Sequence, residues 1–217
     1  MKISYAIPVC NEVIEIKKLV NFLLENKREE DEVVVLYDIN NGDVKVEEYL
    51  RETFYLNPIS FSWHKYEFDG HFANMKNHLT SLCSGDYIYQ IDADELPSKS
   101  ILEDLWAILD MNRTTDVLLV PRINTVEDLT QEYIQKWGWR INKKGWVNFP
   151  DYQWRIYKND GTIKWKNKVH EKLEGYKVMS QLPPEEEYCL LHEKTLQKQL
   201  KQVKLYQGID ENVKEKI

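Results

Sequence analysis

Cysteine is scarce in these 217 residues: Cys10, Cys83 and Cys189 lie far apart and form no CxxC pair. An odd, sparse set excludes a disulfide scaffold and argues against a cysteine zinc site. It fits a reducing compartment, so a cytoplasmic protein is expected. No apolar run is long enough to cross a bilayer, and Met1–Cys10 is too short and too soon interrupted for a signal peptide. A basic excess is also missing. With 29 Lys and Arg against 36 Asp and Glu, the net charge is −7. A duplex binder needs a basic face to neutralise phosphates, so no nucleic-acid partner is expected. Lys143, Lys144, Lys158, Lys164, Lys166 and Lys168 read as a solvated surface or a local basic patch.

What is present is the composition of a folded enzyme, 42% hydrophobic and 30% charged. The first 125 residues alternate strand-like and helix-like patterns. Lys2–Pro8 is a short apolar strand, and 12–27 carry Val13, Ile16, Leu19, Val20, Leu23 and Leu24 at helical spacing. Glu32–Asp38 reads as a strand covered on both faces. A helix over 44–54, a strand at Ile59–His64, a helix over His71–Cys83 and a strand at Tyr87–Ile91 follow. Leu96-Pro97 is expected to turn the chain out of the sheet. Ser98–Asp110 is a helix with Ser100 and Glu103 as a capping box, and Asp116–Ile123 a fifth strand. Such alternation predicts an α/β fold, a mostly parallel central sheet flanked by helices, with ligands at the carboxyl ends of the strands.

After about residue 125 the character changes. Five of the seven tryptophans fall between Trp137 and Trp165, amid Lys, Arg, Asn and Gly. This predicts a smaller subregion of short strands and long loops. Leu196, Leu200 and Val203 give a last helix a thin apolar stripe. That charged helix ends without a stop signal, as in a piece of a longer polypeptide with further domains.

The chemistry centres on Asp92-Ala-Asp94. In extended chain, residues i and i+2 point the same way, so both carboxylates face one ligand. Two hard oxygen donors at a strand end suit Mg²⁺ or Mn²⁺ bridged to a diphosphate, although the bare triplet also fits two solvated loop aspartates. Asn11-Glu12 and Asp38 end the first two strands and open onto the same crevice. They read either as contacts to a nucleobase and ribose, or as a helix N-cap and a turn former.

Ala6-Ile-Pro-Val-Cys-Asn-Glu12, Val33–Asp38, Asn74-Met-Lys-Asn77 and Gly85-Asp-Tyr-Ile-Tyr-Gln-Ile-Asp-Ala-Asp-Glu95 together resemble the family 2 glycosyltransferases, in order and spacing, over roughly residues 1–123. Trp165-Lys-Asn-Lys-Val-His-Glu171 extends the likeness to transferases of the lipopolysaccharide core. The chain is also similar to short transferase modules of large DNA viruses and phages. The resemblance implies a single GT-A domain, with 1–96 binding the nucleotide-sugar donor and 97–217 a glycan acceptor. It implies that Pro8, Val9, Asn11 and Glu12 line the nucleotide pocket, that Asp38 contacts a base, usually uracil, and that Lys76 approaches the diphosphate. Asp92, with Ala93 beside it, sits near ribose and metal, and Asp94 ligates the Mn²⁺ or Mg²⁺. One departure is Ile39-Asn-Asn-Gly42, where the family often has a Ser/Thr-rich turn.

In the second half the resemblance implies Glu171 as the general base of an inverting transfer, with Asp151 as its rival. His192, or else His170, is the candidate third metal ligand. Arg155 and Lys194 are candidates to neutralise the leaving diphosphate. Trp137, Trp139 and Trp146 are candidates for an aromatic acceptor platform, against a small structural core. UDP-glucose and an activated L-rhamnose both fit as donors. Two competitors stand. A sugar-1-phosphate nucleotidylyltransferase needs a Gly-rich, Arg-containing loop, and Pro8-Val-Cys-Asn-Glu12 has neither residue. A carbohydrate- or nucleotide-binding module without turnover needs neither Asp94 nor Glu171.

Overall fold

The structure, a computed structural model, describes residues 1–209; residues 210–217, where the sequence reading continues the final charged helix, lie outside the described residues. Strands β1 (Ile3–Val9) and β2 (Glu32–Asp38) are apolar and almost wholly buried. They pair in parallel with Ile7 opposite Val35. Strand β3 (Phe61–Tyr66) continues the parallel sheet beyond β2, and β4 (Tyr87–Gln90) lies parallel to β1 on its other side. Alternate residues of these strands feed two cores. Ile3, Tyr5, Ile7, Val33 and Val35 pack against α1 (Val13–Asn26) and α2 (Val44–Leu56), while Ala6, Val34 and Leu36 pack against α3 (Phe72–Leu82). The third strand starts two residues later than expected and leaves Ile59 at the surface.

Three expectations need correction. Leu96-Pro97 does not leave the sheet: β5 (Glu95–Pro97) pairs antiparallel with β11 (Leu190–Thr195), placing His192 opposite Glu95. A proline fits there because β5 closes the end of the sheet and Pro97 is its last residue. The cap of α4 (Lys99–Met111) is Ser98, whose Oγ accepts the Ile101 N–H at 3.1 Å. Glu103 pairs instead with Lys99, at 3.5 Å. The expected fifth strand is the sixth, β6 (Val117–Glu127), and its neighbour β7 (Val147–Lys158) runs antiparallel to both it and β4.

The sheet order is β3-β2-β1-β4-β7-β6-β11-β5, with β10 (Met179–Gln181) pairing alongside β6. It is parallel over its first four strands and mixed beyond them. The excursion from β6 to β7 holds only the short α5 (Gln131–Trp137), and β7 returns as an antiparallel neighbour. Strands β8 (Lys164–Lys166) and β9 (Lys172–Glu174) make a separate ribbon whose Trp165 and Leu173 pack onto the α3 face. Trp137 and Trp139 are only 5% and 9% exposed. They form a small third core with Val147, against which Leu196 and Leu200 of α6 (Leu196–Ile209) pack. They therefore have no free face for a sugar. Trp146 is half-buried beside Phe149.

Candidate active site

The loops after β1, β2 and β4 converge at the carboxyl edge of the parallel strands, where this type of sheet leaves a crevice. After β1, Glu12 Oε2 accepts the N–H groups of Cys10 and Asn11, at 2.9 and 3.0 Å, and folds the loop back on itself. Glu12 occupies the N-cap position of α1 without a side-chain cap, so Asn11 is not the cap; it is exposed at the crevice edge. Burial, with the charge of Asp94, raises the Glu12 carboxyl, which places the two acids in one field. Pro8 is half-buried and Val9 buried. After β2, the buried Asp38 accepts from the Asn40 N–H at 2.9 Å and from Asn41 Nδ2 at 3.0 Å. It therefore holds its own turn together, whatever else it contacts.

The acidic segment after β4 is held by cations. Arg155 of β7 donates from Nη2 to Asp92 Oδ2 at 2.6 Å and grips Glu95 with Nε and Nη2, at 2.9 and 2.7 Å. Arg122 of β6 donates to Glu95 Oε1 at 2.8 Å, the oxygen that also accepts from Arg155 Nη2, and to Asp151 Oδ2 at 2.9 and 2.7 Å. Lys76 Nζ stands 3.6 Å from Asp92 Oδ1 and 3.4 Å from Glu171 Oε1. The result is a continuous alternation of charge from Glu171 through Lys76, Asp92, Arg155, Glu95 and Arg122 to Asp151. Burial alone raises the Asp92 carboxyl, but Arg155, Lys76 and Arg122 outweigh it and hold the group well below the usual carboxylate range. Lys76 is itself steadied: its ammonium lies 4.7 Å from the ring centroid of Trp165, whose Nε1 donates to Tyr157 Oη at 3.1 Å.

Asp94 has different company. Its Oδ2 is 3.2 Å from His192 Nε2, while His192 Nδ1 is 2.7 Å from Asn124 Oδ1. Asn124 donates its Nδ2 to Asp151 at 2.8 Å, which fixes the amide so that Oδ1 faces the histidine as an acceptor. His192 therefore donates from Nδ1. Burial and the Arg122 guanidinium lower its pKa against the pull of Asp94, so the ring is neutral near pH 7. A neutral ring protonated on Nδ1 presents a lone pair at Nε2, and that lone pair faces a carboxylate. Two acceptors in that position are completed by a proton or by a cation. One carboxylate oxygen and one imidazole nitrogen suit Mn²⁺ or Mg²⁺ only as part of a set. Among the described residues no group of three His, Cys, Asp or Glu converges, so further donors would come from a ligand and water.

The remaining candidates are placed as follows. Ala93 is buried between the two aspartates. Asp151 has both oxygens occupied, Oδ2 by Arg122 and Asn124 and Oδ1 by Gln153 at 2.7 Å. Arg155 is committed to Asp92 and Glu95. Lys194 donates to Gln202 at 3.0 Å, and burial with Arg122 brings its amine down to about 8. His170 is exposed, with its ring edge-on to Tyr206 and not beside the Asp94–His192 pair. The sequence reading gave no role to Glu95, Arg122 or Asn124. The available signal was an arginine in the otherwise apolar run Val117–Ile123. A lone charge in a buried strand needs a buried partner.

Comparison with known proteins adds a family. No curated protein matches the sequence. Among solved structures, S. aureus TarS 1–349 superposes with a TM-score of 0.61 at 18% identity, covering 99% of this chain and 67% of that one. The same fragment in complex with UDP gives 0.62, at 18% identity, over 99% of this chain and 68% of its own. The Pyrobaculum calidifontis mannosyltransferase PcManGT, in complex with GDP-Man and Mn²⁺, gives 0.56 at 16% identity, covering 88% of this chain and 56% of that one. The chain spans 41% of the longer TarS structure. At these identities the likenesses establish the GT-A fold. The sequence profile of glycosyl transferase family 2 matches residues 4–182, most of the chain. With that match and the fold in agreement, the chain belongs to glycosyl transferase family 2 and is a glycosyltransferase.

Proposed function

We propose that the enzyme transfers a sugar from a nucleoside diphosphate donor, with uracil as the favoured base, to a hydroxyl of a glycan acceptor, and that it works with Mn²⁺ or Mg²⁺. The observation that carries this reading is the Asp94–His192 pair, whose facing acceptors lie 3.2 Å apart at the carboxyl end of the parallel sheet. The UDP complex of TarS, its UDP-GlcNAc complex and the GDP-Man and Mn²⁺ complex of PcManGT support it by likeness of fold. Bound by Asp94 and His192, the cation would offset charge on the departing diphosphate.

The chain's own residues do the rest. Asn11, Glu12 and Asp38 line the base and ribose end of the crevice. Lys76 offers the diphosphate an ammonium now shared by Asp92 and Glu171. Glu171, once released, takes the proton of the acceptor hydroxyl as it attacks, which in a single displacement inverts the anomeric carbon. Asp151 suits this work less, because its oxygens are occupied. Arg155 acts through Asp92 and Glu95 rather than on phosphate. Residues 1–96 form the donor half and 97–217 the acceptor half of one domain, although the donor half depends on Arg122, Arg155 and His192 from the other. The free cysteines and the lack, among the described residues, of any helix long and apolar enough to cross a membrane fit work in a reducing compartment.

A thermal-shift screen of the chain against UDP, GDP and their sugars, with and without Mn²⁺, tests the reading, since a ligand of the native state raises apparent stability. At least one nucleotide should raise the melting temperature in a metal-dependent manner. A flat response across the panel removes the donor assignment.

A further inference from the structure

Burial of Trp137 and Trp139 removes two of the three rings expected to receive the acceptor and leaves Trp146 alone beside Phe149. Other rings supply an aromatic surface next to Glu171. Phe68, Phe72, Tyr206 and His170 form a run of neighbouring rings, with centroids 4.8 Å apart from Phe68 to Phe72, 5.9 Å from Phe72 to Tyr206 and 5.6 Å from Tyr206 to His170. They come from four places in the fold: the loop after β3, the first residue of α3, the β8–β9 loop and the far end of α6. Phe68, Phe72 and Tyr206 are half-buried and His170 is exposed, so the run is a surface and not a core.

Its position is fixed on both sides. The Phe72 N–H donates to the Lys168 carbonyl at 3.0 Å, tying α3 to the β8–β9 loop. In that loop His170 has left-handed backbone at φ +52°, and it immediately precedes Glu171. Tyr206 leans over the same spot. Burial, followed by the charges of Glu171, Asp92 and Asp94, pushes its phenol up, so the ring lies within the field of all three carboxylates. Its hydroxyl accepts from Gln202 Nε2 at 3.0 Å. An aromatic surface edged by an amide, a hydroxyl and an imidazole has the makings of a sugar site. The ring faces take the apolar C–H side of a pyranose and the polar groups take its hydroxyls.

We propose that Tyr206, Phe72 and His170 form the platform on which the acceptor sugar lies, beside Glu171. The inference rests on the glycosyl-transfer reading of the site. It gives α6 a role in substrate binding, and it places the acceptor at the seam between the α3 side and the C-terminal helix.

The test is retention of the full chain on an array of immobilised neutral oligosaccharides, with and without UDP and Mn²⁺. Wild type is expected to bind a subset of the glycans. Tyr206→Ala is expected to bind them about tenfold more weakly, the scale of one lost aromatic contact, while Tyr206→Phe keeps most of the binding. UDP affinity, read separately by calorimetry, is expected to be the same in all three. Should Tyr206→Ala fail to fold, the exposed His170→Ala takes its place with the same expectation. Three results overturn the proposal: a wild type that binds no glycan, a Tyr206→Ala variant that binds glycans as wild type does while merely melting earlier, or one that loses UDP affinity instead. The last would make α6 a cover for the donor. Failure of the underlying reading shows elsewhere, as a flat nucleotide thermal-shift screen in wild type.

Discussion

Lys76 Nζ lies 3.4 Å from Glu171 Oε1, so the candidate base and the candidate diphosphate contact are ion-paired to each other. The oxygen that faces the ammonium is occupied and not open to an acceptor hydroxyl. In the proposed mechanism a diphosphate arriving at Lys76 would compete for that ammonium and so would couple release of the base to donor binding. Lys76→Met should therefore raise the donor KM by about tenfold or more, the loss of one charge-assisted contact. Glu171→Gln should leave donor binding intact and lower kcat by about 10² to 10⁴. Steady-state kinetics separates the two, and a Glu171→Gln enzyme with near-normal kcat would falsify the base assignment.

The Arg155 guanidinium is buried and neutralises both Asp92 and Glu95. Removing one partner of a buried pair leaves the other charged and dry, at a cost of about 3–5 kcal/mol. Arg155→Met should lose stability on that scale in urea unfolding, whether or not nucleotide is present. A loss below about 1 kcal/mol would mean that Arg155 is free for phosphate after all.

Asp94→Asn preserves shape and removes the anionic donor. The variant should melt as wild type does without ligand and lose the Mn²⁺-dependent part of the nucleotide shift. His192→Gln should behave similarly, because it removes the other donor. A metal-dependent shift that survives in Asp94→Asn moves the cation elsewhere.

Glu32 carries the pH prediction. Burial opposes its ionisation, but Lys2 Nζ at 2.6 Å, Ser4 Oγ at 2.6 Å and the Ser84 N–H and hydroxyl bring it down to about 2, from an ordinary 4.5. A carboxyl depressed in the fold contributes stability in full above its unfolded value. That contribution fades as pH falls through the folded value. Wild type should therefore lose this stability between about pH 4.5 and 2, and Glu32→Gln should start less stable at pH 7 and show a flatter acid limb in chemical denaturation. Parallel limbs in the two proteins would contradict the assignment.

The parallel half of the fold was legible because its signals are local. Val13, Ile16, Leu19, Val20 and Leu23 announce a helix by spacing alone, and Val33–Tyr37 a covered strand by continuity. Asp92 and Asp94 were singled out by the same local logic combined with a strand end, whereas Lys76 came from the family resemblance alone. What escaped depends on partners far away in sequence. β5 exists because β11 comes to pair with it. Glu95 reads as a third loop acid until Arg122 and Arg155 enclose it, and the Trp137 and Trp139 rings read as a polar-loop platform until Leu196 and Leu200 close over them. Tyr206 sits in a polar helix with no local mark of a site.

Asp94 and His192 are 98 residues apart in the chain. A ribosome delivers them in order, the acids first. Until Arg122 and Arg155 are made, Asp92, Asp94 and Glu95 are carried as three neighbouring negative charges. His192 follows both arginines. This stretch of the nascent chain cannot settle early, even though domains tend to fold from the N-terminal end as they emerge. A polypeptide stopped just before Leu190 would contain the whole segment by which the family is recognised, residues 4–182, and still lack His192. Assembly of the proposed site thus waits for β11, and a product interrupted before it lacks one of the two proposed metal ligands.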